Sequence, residues 1–224
     1  MVVSYPTVTF DNTPSARQEQ AFKQLIVDYY PAIDLASLVS HCDPEQQTAA
    51  FHALNWVVEM WQEDATYRRA GIELRGASKI ADFYQLPFPQ GRSGLVGSHD
   101  VSKILPVPDL RPGYLSIVAE GIFTHHSGWQ IGFLDLWQIR ISDIGKGKIS
   151  YRETFLISEE LNVALSASDP KIISSAQTKE SATFIIGDAS IGAQNYRFAT
   201  IVEFKGLQLV GLKYWNQGAE RLKP

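Results

Sequence analysis

The chain has 224 residues, 45% of them hydrophobic and 20% charged, with 20 basic against 24 acidic side chains and a net charge of −4. That length suits one large domain or a domain with an extension, and the composition is that of an ordinary soluble globular protein. With no Lys/Arg block, no apolar run near the ~20 residues that span a bilayer and no secretory signal at Met1–Thr7, the expectation is a cytoplasmic protein with no nucleic-acid and no membrane partner. The single cysteine, Cys42, excludes an internal disulfide and fits a reducing compartment.

Residues 1–12 read as an extended arm. Thr13-Pro14 supplies an N-cap and a proline at the first helical position. Ala21, Phe22, Leu25, Ile26 and Tyr29 then recur at helical spacing until Pro31, where the helix is expected to end, with a short helix after it. Asp43-Pro44, with Gln46, opens a second helix striped by Ala50, Phe51, Leu54, Val57, Val58 and Trp61. Short strands over 64–69 and 72–75 flank Gly71, a helix covers 77–84, and residues 85–97 form a loop rich in Pro, Gly and Arg. Strands are predicted at about 99–106, 114–124, 131–141 and 148–157, separated by turn signals. Residues 158–180 read as a short helix or loop broken at Asp169-Pro170, and strands follow at 182–187, 196–204 and 207–215, the last two joined at Lys205-Gly206. Helices first and a meander afterwards argue an α+β fold, with helices on one face of a curved antiparallel sheet and a pocket between the layers.

Asp135 is the residue that stands out. Side chains alternate along a strand, so Ile131, Phe133, Asp135, Trp137, Ile139 and Ile141 share a face, and a lone carboxylate interrupts an apolar row. A buried carboxylate finds a partner or holds its proton, so Asp135 is either a structural hydrogen-bonding group or a group for acid–base chemistry.

Three landmarks carry a resemblance: Trp61-Gln-Glu-Asp-Ala-Thr-Tyr67, Gly76-Ala-Ser-Lys-Ile-Ala-Asp-Phe-Tyr84, and Leu134-Asp-Leu-Trp-Gln-Ile-Arg140 leading into Gly147-Lys-Ile-Ser-Tyr-Arg-Glu-Thr-Phe155. In order and spacing they resemble the nuclear-transport-factor-2-like superfamily of ketosteroid isomerases, SnoaL-type polyketide cyclases and scytalone dehydratase, over roughly residues 15–160. The resemblance implies a cone-shaped domain over 1–160, with 161–224 as a C-terminal β-rich extension packed on it, and a homodimer. It matches Asp135 to the oxyanion-stabilising Asp of the isomerases, with Tyr29 or Tyr30 beside it, and places His99 near the catalytic His of the dehydratase. It also exposes a departure, because Arg68-Arg69 stands where the isomerases carry their general base.

The remaining candidates have two readings each. Glu153 is a second pocket acid, or an ion-pair partner of Arg140, Arg152 or another arginine. Of Arg68 and Arg69, one faces the cone and can hold an anionic oxygen, or both lie on the surface. Trp137, Phe133 and Tyr151 are pocket wall or core, and His99 is a proton shuttle or a solvent-facing residue at a strand start. Cys42 beside His41 forms no recognised dyad or metal-ligand spacing. The expectation is a cofactor-free isomerase, dehydratase or cyclase acting on a small apolar carbonyl compound, with no metal. The alternative is a non-catalytic small-molecule-binding or dimerisation module of the same fold.

Overall fold

Ser15 caps the first helix. Its hydroxyl accepts from the Gln18 backbone N–H and the Gln18 side chain returns to the Ser15 backbone, a reciprocal capping box. The computed structural model describes residues 14–39, 43–108, 110–157, 170–178, 182–205 and 208–217, with the backbone alone from 204 onward. The arm at 1–12, His41, Cys42, the break at Asp169 and the Gly206 turn lie outside the described residues.

Helix α1 runs Ala16–Ala36, so the cap is two residues later than the predicted Thr13 and the helix passes through Pro31. The missing Pro31 N–H leaves only the Val27 carbonyl without its helical partner, and both residues sit on the solvent side, where water can serve that carbonyl. The opposite side buries Phe22, Ile26, Tyr29, Tyr30 and Ile33. Helix α2, Pro44–Glu59, starts as predicted: Asp43 accepts from the backbone N–H of Glu45 and Gln46, with Pro44 at the first position. Of the predicted stripe, Ala50, Leu54 and Val57 are buried and Phe51 is exposed, while Trp61 belongs to the following strand.

The strands are β1 (Trp61–Arg69), β2 (Ile72–Arg75), then after helix α3 (Ala77–Gln85) β3 (Gly97–Pro106), β4 (Tyr114–His125), β5 (Gln130–Arg140), β6 (Ile149–Leu156), β7 (Lys171–Gln177), β8 (Thr183–Ile191), β9 (Gln194–Lys205) and β10 (Gln208–Gln217). Ten strands form one sheet in the order β3-β4-β5-β6-β10-β9-β8-β7, with β1 beside β6 and β2 beside β1. The pairing is antiparallel except between β1 and β6, which run parallel, so the sheet is mixed rather than wholly antiparallel. A 3-10 helix, Ile141–Lys146, takes the last predicted position of β5, and β7 replaces the loop or helix expected there. Strand β7 escaped the pattern because it is an edge strand with little alternation: Ile172 and Ile173 are both exposed.

The sheet is buried on both faces. On one, α1, α2 and α3 pack with Trp61, Tyr67, Phe133, Trp137 and Ile139. On the other, Leu105, Val118, Leu134, Leu136 and Phe155 of β3–β6 pack against Phe184, Ile186, Ala199 and Ile201 of β8 and β9. A register shift between Val101 and Lys103 bends β3 where it borders β4. Gly121 of β4 lies opposite Phe133, and a Cβ there would sit 2.8 Å from the Phe133 ring and 2.3 Å from the Asp100 carbonyl oxygen, so only glycine permits this close approach. Among the described residues no helix is long and apolar enough to cross a membrane.

The Asp43 cap makes a direct test of how α2 is anchored. Asp43→Ala is expected to lower unfolding free energy in urea by about 1 kcal/mol, and Asp43→Ser to restore most of it.

Candidate functional site

The site is built where α1 crosses β5, β6 and β3. Asp135 on β5 is wholly buried, and its Oδ2 accepts hydrogen bonds from the Tyr30 hydroxyl at 2.8 Å and from Arg152 Nη2 at 2.6 Å. Tyr30 comes from the buried face of α1, and Arg152 is the β6 neighbour of Trp137. The Trp137 indole N–H donates to the Tyr30 oxygen at 3.3 Å. The Arg152 guanidinium carbon lies 4.4 Å from the Trp137 ring centroid and 4.6 Å from that of Tyr29, an aromatic cage for a buried cation. Arg152 Nη1 donates to the Tyr29 hydroxyl, which is 2.7 Å from the hydroxyl of Tyr84 on α3.

A second unit faces the same space. Asp34, one helical turn beyond Tyr30, accepts from the His99 backbone N–H at 2.8 Å and pairs with His99 Nδ1 at 2.5 Å. His99 Nε2 lies 3.0 Å from Arg92 Nη2. Arginine only donates, so Nε2 accepts, Nδ1 carries the hydrogen toward Asp34, and the ring is neutral. Burial holds the His99 pKa below its ordinary 6.5, and Arg92 and Arg152 push the same way, against the opposing effect of Asp34. Arg92 is set by the 85–97 loop, whose backbone is tied down: Arg92 N–H donates to the Phe83 carbonyl, Ser93 N–H to Leu86 and Gly94 N–H to Ser37.

Between these units lies a cavity of about 160 Å³ lined by Arg69, Arg92, His99, Asp135, Arg152 and Thr154, and by Phe88, Leu95, Phe123, Trp129, Ile131, Phe133 and Leu156. Four of its lining residues carry buried polar atoms with no hydrogen-bond partner among the described residues: Arg92 Nε, Asp135 Oδ1, Arg152 Nε and Thr154 Oγ1. Buried polar atoms are nearly always paired, so a cluster of orphans around one cavity marks a place prepared for a polar ligand. The field inside is positive. Burial raises the pKa of neighbouring Tyr67, yet Arg152, Arg69 and Arg92 together bring it below its ordinary value. Burial, and then Arg92 and Arg152, lower that of Arg69 itself. Burial and then Asp135 raise that of Tyr30, so it keeps its proton on Asp135.

The predicted site residues divide. Asp135, His99, Arg69 and Phe133 line the cavity. Tyr30 touches Asp135, whereas Tyr29 serves Arg152 and Tyr84 instead. Trp137 stands behind the cavity as support for Tyr30 and Arg152. Glu153, Tyr151 and Arg68 do not reach it. The Tyr151 hydroxyl donates to Glu153 at 2.5 Å, Arg197 Nε on β9 lies 2.8 Å from the same carboxylate, and Arg68 pairs with Glu73 at 2.5 Å. The reason is strand alternation: Arg152 and Thr154 take the cavity face of β6, and Arg69 that of β1, which turns their sequence neighbours away. Asp135 differs from its expected role as well. Two donors converge on one of its oxygens, so it acts as an acceptor holding Arg152 and Tyr30.

Asp34, Arg92, Arg152 and Thr154 were not proposed from sequence. Asp34 had a signal, the four-residue spacing from Tyr30 on one helix face, and Arg152 had one in its alternation with Glu153. Arg92 had none, because an irregular loop has no period. Among the described residues no three His, Cys, Asp or Glu side chains cluster as metal ligands.

No family model matches the chain, and no curated protein matches it. Among solved structures, the chain is similar to an NTF2-like protein with a cystatin-like fold from Novosphingobium aromaticivorans: 15% identity over 66% of this chain and 88% of that one, TM-score 0.47. It is also similar to a candidate SnoaL-like isomerase from Agrobacterium tumefaciens, with 15% identity over 62% of this chain and 99% of the other, TM-score 0.38. A candidate ketosteroid isomerase from Kribbella flavida shares 11% identity over 62% of this chain and 79% of its own, TM-score 0.37.

Two outcomes test the buried groups. Asp135→Asn is expected to destabilise the protein by about 3–5 kcal/mol in denaturant titrations, because Arg152 keeps its charge in the core. Asp135→Leu combined with Arg152→Met should recover most of that loss. His99 binds its proton more weakly folded than unfolded, so its contribution to stability is complete above about pH 6.5 and is lost as the pH falls below it. Wild-type unfolding free energy should therefore fall more steeply between pH 7 and 5 than that of His99→Asn, by up to ~1.4 kcal/mol per pH unit.

Proposed function

We propose that the protein is a cofactor-free enzyme of the isomerase, dehydratase or cyclase kind, using acid–base chemistry on a small carbonyl compound held in the pocket of a cone-shaped domain. The observation that carries this reading is the Asp34–His99 pair at the wall of the cavity, with His99 neutral and its Nε2 beside Arg92, another residue of the same wall. An imidazole oriented by a carboxylate through one nitrogen is a general base through the other, and the carboxylate stabilises the imidazolium that forms. His99 takes a proton from the carbon next to the carbonyl. The growing charge on the carbonyl oxygen meets the Arg152 Nε–H and the Thr154 hydroxyl, donors that no protein group uses. The imidazolium then returns the proton to another carbon, giving isomerisation, or to a leaving hydroxyl, giving dehydration. Asp135 and Tyr30 keep Arg152 in place, so the part that the sequence resemblance assigned to Asp135 falls to its partner.

The alternative reading, a non-catalytic binding or dimerisation module, is favoured by one observation: Arg92 already donates to His99 Nε2 and covers the base. Homodimerisation is part of the proposal as well. Exposed Ile172 and Ile173 on edge strand β7 support association, and the apolar cluster shared by β4–β6 with β8 and β9 supports residues 161–224 as an extension of the same domain.

Exchange of carbon-bound hydrogen tests the chemistry without knowledge of the product. In D2O, a panel of monocyclic ketones and enones followed by proton NMR is expected to include a compound whose α-hydrogen the protein exchanges. His99→Asn should slow that exchange about 10²–10⁴-fold, and the acid limb of the wild-type rate should bend below pH 6.5. Exchange that persists unchanged in His99→Asn would remove His99 as the base.

A further inference from the structure

Three guanidiniums, Arg69, Arg92 and Arg152, line one small cavity, and the carboxylates that answer them are Asp135, on Arg152, and Asp34, on His99. Arg69 and Arg92 form no ion pair with a carboxylate among the described residues. Arg92 is 6% exposed, and its Nε–H has no partner among the described residues. Keeping an arginine buried without a counter-charge is costly, and the cost is relieved when a ligand brings the charge. Apart from these arginines, Asp135, His99 and Thr154, the lining is aromatic and aliphatic, with Phe88, Phe123, Trp129 and Phe133 as its aromatic part. The cavity measures about 160 Å³. An engineered apolar cavity of ~150 Å³ takes up benzene, so this one has room for a six-membered ring.

We infer that the ligand of this pocket is a monocyclic organic acid, its ring among the aromatic side chains and its carboxylate on Arg92 and Arg69. A guanidinium offers paired N–H groups that match the two oxygens of a carboxylate, a fit that a lone neutral carbonyl does not provide. Docking has a second consequence, which rests on the acid–base reading above. A carboxylate is a stronger acceptor for Arg92 than a neutral imidazole nitrogen, so the bound acid draws Arg92 from His99 Nε2 and frees the lone pair. The base is covered without ligand and uncovered by the ligand's own charge. A neutral ring of the same shape fills the cavity but leaves Arg92 on His99.

Benzoate, its uncharged isostere benzamide and inorganic phosphate are the probes, titrated against the full chain by calorimetry. Benzoate is expected to bind at least about tenfold more tightly than benzamide, the ratio of roughly one charge-assisted hydrogen bond. Phosphate, without a ring, should bind more weakly than benzoate. Arg92→Gln and Arg69→Gln should each weaken benzoate about tenfold while leaving benzamide within about twofold, which also shows that the cavity stays folded. In nitrogen-15 spectra of the His99 ring, Nε2 should shift on addition of benzoate and not of benzamide. Equal affinity for benzoate and benzamide, no binding of either at millimolar concentration, or equal losses for both ligands in the two variants would overturn the inference. The two readings separate cleanly. Benzoate preference with no His99-dependent exchange on any ring ketone leaves the ligand class and removes the acid–base mechanism. Exchange on neutral ketones with no benzoate preference removes this inference alone.

Discussion

Arg152 and Asp135 form an ion pair with almost no access to water, and the neighbouring groups answer the cost of burying it. Two charges taken out of solvent lose several kcal/mol of hydration each, and their attraction repays this only when the geometry is good and the remaining donors and acceptors are used. Here Tyr30 adds a second donor to the carboxylate, while Tyr29, Tyr67 and Trp137 present ring faces to the guanidinium. These contacts come from α1, β1, β5 and β6, so the pair works as a pin joining the helical layer to the sheet. Once Tyr30 is pinned over β5, the next turn of α1 delivers Asp34 to the start of β3, and the Asp34–His99 contact follows from the same helix placement.

The pin leaves an electrostatic remainder. Asp135 offsets Arg152, and Asp34 is engaged by His99, but Arg69 and Arg92 stay in a cavity whose walls are mostly apolar. A low-dielectric wall does little to screen them, so, after the larger effect of burial, Arg92 and Arg152 lower the proton affinity of Arg69 and of His99. The same field stabilises a negative oxygen. The arginines that add to the effect of burial on the imidazole therefore also favour an anion in the cavity.

The second face of the sheet explains how so much charge is tolerated. β8 and β9 cover the outer side of β4–β6 with Phe184, Ile186, Ala199 and Ile201, and the Glu153–Arg197 pair closes that side of β6. Adjacent residues of a single strand thus serve two separate interiors: Arg152 and Thr154 the cavity, Glu153 and Phe155 the outer core. A strand buried on both faces holds its register firmly, because a one-residue slip would exchange Arg152 with Glu153 and place each charge in the wrong interior.

Much of this was written in local pattern. Capping residues and apolar spacing marked α2, alternation marked β3 to β6, and the carboxylate in the apolar row of β5 marked the floor of the site. What alternation could not give was the assignment of faces when both are buried. Glu153 and Tyr151 looked as suited to the pocket as Arg152 and Thr154, since periodicity says that neighbours part company and not which way each goes. Pro31 looked like a stop because the residue before a proline avoids the α region, a local rule, whereas the placement of Val27 and Pro31 on the solvent side is a tertiary fact. The sequence by itself determined that an acid interrupts an apolar row on a strand; that Tyr29 or Tyr30 lies beside it was implied only by the family resemblance. Only the tertiary structure decided that this acid accepts rather than donates, that Asp34 and Arg92 bracket His99, and that the cavity carries surplus positive charge. Each depends on distances between segments far apart in the chain, and no local rule encodes these.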